Sequence, residues 1–118
     1  MITIYGLRNC DTCRKARAWL DQAGLEFQFH DFREDGLPEG APAKWSEAVG
    51  WELLLNRRST TWRGLTEADR SDLDAEKARQ LMESHPTLIK RPVFETEGAV
   101  LVGFSDPVRE ALKNAAAR

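Results

Sequence analysis

Apolar and polar positions alternate with different periods along this chain, and each change of period marks a new element. Residues 2–5, Ile-Thr-Ile-Tyr, alternate apolar and less apolar side chains, the two-residue period of a half-buried strand. Past a loop over residues 6–9, Cys13, Ala16, Leu20 and Ala23 recur at spacings of three and four. That spacing predicts one apolar stripe on a helix from Asp11 to Ala23, with Gly24 as its C-terminal stop. Phe27 and Phe29, with Phe32 beyond them, predict a second strand. A β-α-β unit this short favours a parallel strand pair joined by a right-handed crossover.

The middle of the chain, about residues 36–86, has a different texture. Gly36, Pro38, Gly40 and Pro42 punctuate a loop. Short helices are predicted beyond it over Ala43–Val49, Trp51–Asn56 and Asp74–Ser84, with Leu65-Thr66-Glu67 opening a turn or another helix. Strand signals return at Pro92–Glu95 and Ala99–Val102, separated by the hairpin-like Thr96-Glu97-Gly98. Asp106-Pro107 then opens a closing helix, with Asp106 read as N-cap and Pro107 at N1. The order is βαβ, a helical insert, then ββα: an α/β domain with a mixed sheet and an inserted helical subdomain.

A length of 118 residues fits one domain of this kind with a single core. A net charge of −2 argues against a general nucleic-acid-binding surface, which is normally basic. No apolar run approaches the roughly 18 residues that span a bilayer, and residues 1–6 lack the charged start and apolar stretch of a signal peptide. The expected compartment is therefore the cytoplasm, with no membrane partner. A thiol pair in a reducing compartment is more often catalytic or metal-binding than structural.

That pair, Cys10 and Cys13 in Asn9-Cys10-Asp11-Thr12-Cys13, is the strongest chemical signal, and it holds the chain's only cysteines. It falls at the first strand-to-helix junction, where unpaired backbone N–H groups and the helix dipole favour an anion. A cysteine held there ionises below its free value of about 8.5. Cys10 comes first and is the candidate nucleophile. Cys13, one turn further in, is placed to resolve a mixed disulfide formed at Cys10. Asn9, Asp11, Thr12 and Arg14 surround the pair as candidate substrate-binding residues. The alternative is half of a zinc site, but such a site needs four ligands, and the remaining nitrogens, His30 and His85, each stand alone in their segments. No metal or other bound cofactor is expected.

Two further segments carry candidate chemistry. Arg91-Pro92 opens a predicted strand; spacing alone favours a surface arginine before a trans proline, but a cis peptide fits such a position, and an arginine there can pair with a thiolate or an oxyanion. Asn56-Arg57-Arg58-Ser59-Thr60-Thr61-Trp62-Arg63 concentrates three arginines, hydroxyls and a tryptophan, either as an anion-binding lobe or as a solvated helix end.

The order of elements, with a CxxC at the first strand-to-helix turn, resembles a thioredoxin-like fold. The run Cys10-Asp11-Thr12-Cys13-Arg14-Lys15-Ala16-Arg17-Ala18-Trp19-Leu20 further resembles the start of the ArsC-like family. Similar matches lie at residues 54–63, at 85–92 (His-Pro-Thr-Leu-Ile-Lys-Arg-Pro) and at 102–105 (Val-Gly-Phe-Ser). The family includes glutaredoxin-coupled arsenate reductases, the redox-sensing regulator Spx and YffB-type proteins. The resemblance implies a thioredoxin-like fold, Cys10 as the catalytic cysteine and Arg91 as the arginine before a cis Pro92. Arsenate reductases of the family carry a histidine where this chain has Gly6, arginines at the positions matching Asn56 and Gly103, and a serine where it has Cys13. The resemblance therefore leans to the YffB and Spx branches.

Two functions follow as expectations. One is a glutathione- or glutaredoxin-linked thiol reductase in which Cys10 attacks an oxyanion or a glutathione mixed disulfide. Arg91 and the helix N–H groups would stabilise the anion, Asn56, Arg57, Arg58 and Pro92 would contribute to the substrate site, and glutathione would serve as co-substrate. The other is a Spx-like redox sensor whose Cys10–Cys13 oxidation alters a surface offered to the α subunit of RNA polymerase, with no direct nucleic-acid contact.

Overall fold

The computed structural model describes residues 1–116. In chain order its elements are β1 (Ile2–Gly6), α1 (Asp11–Gln22), β2 (Phe27–Asp31), α2 (Ala41–Val49), α3 (Trp51–Leu54), α4 (Thr60–Arg63), α5 (Glu67–Arg70), α6 (Ala75–Ser84), a 3-10 turn (Pro86–Leu88), β3 (Val93–Thr96), β4 (Ala99–Val102) and α7 (Asp106–Ala116). They fall into two compact units: Met1–Gly36 with the chain from Arg91 onward, and Leu37–Lys90. No helix among the described residues is long and apolar enough to cross a membrane.

In the first unit, the described strands form a four-stranded sheet in the order β2-β1-β3-β4. β1 runs parallel to β2, with Ile4 opposite Phe29, and antiparallel to β3, with Tyr5 opposite Val93. The mixed sheet follows from the connections: a helix joins β1 to β2, whereas β3 and β4 form an antiparallel hairpin turning at Gly98. Strand alternation sends Ile2 and Ile4 to one face, where they join Ala16 and Leu20 of α1, Phe94 of β3, and Val108 and Leu112 of α7 in a buried cluster. The stripe on α1 is the predicted one for Cys13, Ala16 and Leu20, all fully buried. It ends one residue early, since Ala23 is the exposed C-cap and Gly24 leaves the helix at φ 72°.

Other boundaries also moved, for physical reasons. β2 stops at Asp31, and Phe32 is buried just past the strand. The cap of α7 is Ser105, not Asp106: the Val108 N–H donates to Ser105 Oγ at 3.4 Å and the Arg109 N–H to the Ser105 carbonyl at 3.0 Å. Asp106 instead lies in the first turn and pairs with Arg109, where its negative charge still suits the helix dipole.

The second unit is helical. α2 begins two residues before its predicted start, because Pro42 fits the first turn of a helix, where no N–H partner is needed. α3 stops at Leu54 and does not reach Asn56. Leu55 turns extended to bridge Ile89, the Asn56 N–H donates to the Leu88 carbonyl at 2.7 Å, and the Lys90 N–H donates to Leu54 at 2.8 Å. Asp74 caps α6 by accepting the Lys77 N–H at 2.8 Å. Trp45, Leu54, Met82, Leu88 and Ile89 are fully buried in this unit.

Candidate active site

Cys10 occupies the N-cap of α1 in an extended conformation, so the helix starts directly behind it. Its thiol is partly exposed, whereas Cys13 is fully buried, and both are free thiols. Three residues on a helix make almost one turn, which brings the two sulfurs to the same side of α1. The loop between β1 and α1 is fixed by main-chain bonds: the Cys10 N–H donates to the Leu7 carbonyl at 3.3 Å, and the Phe32 N–H to Gly6 at 2.9 Å.

The two thiols are driven apart in acidity. Burial opposes ionisation of Cys10, but the Cys13 backbone N–H, the Cys13 thiol and the Arg91 guanidinium together outweigh it and hold Cys10 below the ordinary thiol range. Burial pushes Cys13 up to about 12, reinforced by the neighbouring Cys10 and opposed by the Leu7 N–H and by Arg91. One proton is thus easily lost from the exposed sulfur and firmly kept on the buried one, the division a nucleophile and a reserve thiol require.

The Arg91 guanidinium hydrogen-bonds the Cys10 sulfur, and the peptide bond from Arg91 to Pro92 is cis. Pro92 is fully buried, and its carbonyl accepts the Gly103 N–H at 2.8 Å. Gly103 sits at φ 85°, a backbone conformation that glycine adopts without cost, so the residue type at 103 serves this anchor. Gly6 has a different constraint. A Cβ placed there would lie 2.4 Å from Cys13 Sγ and 3.9 Å from Arg91 Cβ. The absence of a side chain at position 6 is what makes room for the Cys13 sulfur.

Among the remaining sequence candidates, Asn9, Asp11, Thr12 and Arg14 are exposed around the start of α1, and Asp11 pairs with Arg14. Asn56, Arg57 and Arg58 belong to the second unit. There Asn56 Oδ1 accepts the Arg58 N–H at 3.0 Å, and Ser59 Oγ accepts the Trp62 N–H at 3.1 Å to cap α4. The exposed Arg57 guanidinium lies 5.8 Å from the Trp51 ring and 6.0 Å from the Trp62 ring. Among the described residues no group of three or more His, Cys, Asp or Glu side chains stands together in a metal-binding arrangement.

Sequence reasoning missed Asp31. It is 3% exposed at the end of β2, and its carboxylate accepts the backbone N–H groups of Arg8 at 2.6 Å, Arg33 at 2.7 Å and Glu34 at 3.0 Å. Burial would raise its pKa, but those donors and the Arg8 charge lower it below the ordinary carboxylate range. The available signal was an aspartate closing an otherwise aromatic strand.

A model described as the ArsC family matches residues 5–112. An uncharacterised protein of Haemophilus influenzae is 42% identical over 111 residues, covering 94% of this chain and 97% of its own. The global transcriptional regulator Spx of Enterococcus faecalis is 30% identical over 115 residues, covering 95% and 86%. Among solved structures, a YffB protein superposes with a TM-score of 0.90 at 41% identity, over 98% of this chain and 99% of its own. An arsenate-reductase-related protein from Brucella melitensis gives 0.75 at 46% identity, over 93% and 92%.

Proposed function

The chain belongs to the ArsC family and has its thioredoxin-like α/β fold, and from that premise we propose that it is a thiol-dependent oxidoreductase whose nucleophile is the Cys10 thiolate, acting on an oxyanion or on a glutathione mixed disulfide. The observation that carries this reading is the placement of the pair: the partly exposed Cys10 is the N-cap of α1 beside Arg91, and Cys13 is fully buried one turn behind it.

With a mixed disulfide, Cys10 sulfur attacks the glutathione sulfur, a new S–S bond forms, and the substrate thiolate leaves and takes up a proton from solvent. Cys13, after losing its proton, then attacks the Cys10 sulfur and releases glutathione, or a second glutathione attacks the bound glutathione sulfur and releases the Cys10 thiolate. The resulting disulfide is Cys10–Cys13 in the first case and glutathione disulfide in the second. With an arsenate-like oxyanion, Cys10 forms a sulfur–arsenic bond as hydroxide leaves. A second thiol then attacks the sulfur and returns the electron pair to arsenic, which is reduced as a disulfide forms. Arg91 and the N–H groups of the first α1 turn stabilise the anion in both routes. Reducing equivalents come from the thiol pool, with glutathione as co-substrate and glutaredoxin as candidate partner.

The test is reduction of arsenate and of a small glutathione mixed disulfide, with glutathione and glutaredoxin supplied, for wild type, Cys10→Ser and Cys13→Ser. Activity lost in Cys10→Ser supports the proposal. A wild type that turns over neither substrate, but captures the α subunit of RNA polymerase in an oxidation-dependent manner, favours the second reading. In that reading the same pair is a sensor, which the similarity to Spx supports.

A further inference from the structure

The Cys10 loop carries a device that the thiols and Arg91 do not explain. Leu7 is tied to both cysteines through its backbone: its carbonyl accepts the Cys10 backbone N–H at 3.3 Å, and its N–H is directed at the Cys13 thiol. The next residue, Arg8, is exposed, and its side chain turns outward to pair with Glu34 at 2.8 Å. Its backbone N–H points the other way and ends on the buried carboxylate of Asp31 at 2.6 Å. The other oxygen of Asp31 is held by the N–H groups of Arg33 and Glu34. The Asp31 N–H donates to Asp35 Oδ2 at 3.0 Å, and strand pairing sets Asp31 opposite Gly6. A buried carboxylate satisfied by three main-chain donors is a rigid clamp.

We propose that Asp31 is a positioning residue for Cys10: it locks the Leu7–Asn9 loop to the end of β2 and thereby holds Cys10 sulfur against the Cys13 N–H and Arg91. The role rests on the reading of Cys10 as the reacting thiolate, and it works through the backbone. The charged groups around the clamp are Arg8, Arg33, Glu34 and Asp35, all on exposed residues. Asp31→Asn keeps one acceptor oxygen but turns the other position into a donor, so either the Arg8 N–H or the Arg33 and Glu34 pair loses its partner. Asp31→Ala removes both acceptors.

The measurement is the pH profile of Cys10 alkylation by iodoacetamide, in a Cys13→Ala background so that a single thiol reports. Asp31→Asn and Asp31→Ala are expected to move the profile toward an ordinary thiol. At about pH 7 they should react about three- to tenfold more slowly, meeting the parent where Cys10 is fully ionised. Two comparisons separate positioning from loss of stability or charge. Val108→Ala, in the remote core, should lower the melting temperature and leave the profile in place. Arg8→Ala keeps the N–H and should also leave it in place. Variant profiles that superpose on the parent, or an Arg8→Ala shift equal to that of Asp31→Asn, overturn the proposal. If the Asp31 variants do not fold, the wild-type Arg8 amide decides: it must be protected from hydrogen exchange and its resonance must titrate with Cys10, and an unprotected amide overturns the clamp. A parent protein whose Cys10 reacts no faster than a free thiol refutes the nucleophile itself, a result distinct from unchanged Asp31 variants beside an activated Cys10.

Discussion

Gly6→Ala offers the sharpest test of how the two cysteines are packed. The added Cβ falls 2.4 Å from Cys13 Sγ, against the about 3.5–4.0 Å at which non-bonded carbon atoms rest. Sulfur is larger than carbon, so one partner has to move by on the order of 1 Å or more. Cys13 is fully buried on α1 and cannot turn into solvent, so the overlap becomes strain of about 1–3 kcal/mol. Gly6 does not occupy the left-handed backbone region, so alanine fits its conformation there. The effect on the unfolded chain alone would then stabilise by about 0.4–1 kcal/mol. In a Cys13→Ala background the sulfur is gone and the nearest remaining atom, the residue 13 Cβ, lies at an ordinary 3.6 Å. Gly6→Ala should therefore be destabilising in the parent and neutral or stabilising beside Cys13→Ala, a coupling of about 2 kcal/mol. Urea unfolding of the four reduced proteins measures it. Costs that add within about 0.5 kcal/mol would refute the claim that Gly6 is bare to house the Cys13 sulfur.

Arg91→Ala should raise the Cys10 alkylation midpoint, because it removes a hydrogen bond and a positive charge that favour the thiolate; an unmoved midpoint excludes Arg91 as a partner. The sign for Cys13 is the reverse of that for Cys10: a thiol that keeps its proton in the fold supplies stability below its unfolded value and loses it as the pH rises toward its folded one. Reduced wild type should thus lose stability relative to Cys13→Ala between about pH 8.5 and about 12, and parallel stability curves across that window would contradict the buried-thiol assignment. Ser59→Ala should cost about 1 kcal/mol by uncapping α4, read by urea unfolding. Trp45→Ala, which empties a fully buried indole, should cost about 3–5 kcal/mol.

Local pattern carried much of this architecture. The spacing of Cys13, Ala16 and Leu20 is a one-dimensional trace of a single buried face, and the CxxC marks the junction that places Cys10 at a helix start. Features that depend on distant residues left no such trace. The α4 turn contains two β-branched threonines and no apolar period; it rests on the Ser59 cap and on Thr61 meeting Thr87 at 2.6 Å. Asp31 reads as a polar strand exit until the fold brings the Arg8 N–H to it. Ser105 and Asp106 are both good caps, and composition cannot choose between neighbours. The contact between position 6 and Cys13 depends on the angle at which α1 leaves the sheet, which no spacing encodes.

The strand order also has a consequence for how the protein is made. β1 finds its parallel partner β2 within the first 31 residues, whereas its antiparallel neighbour β3 begins at Val93. Chain synthesis proceeds from the N-terminus at about 5–20 residues per second, so the Cys10 loop leaves the ribosome several seconds before Arg91 is added. During that interval β1 has one open edge, and the pair of thiols lacks the guanidinium that completes its setting. The late segment therefore does two jobs when it docks: it closes the sheet, and it adds the Arg91 guanidinium to the donors that favour the Cys10 thiolate.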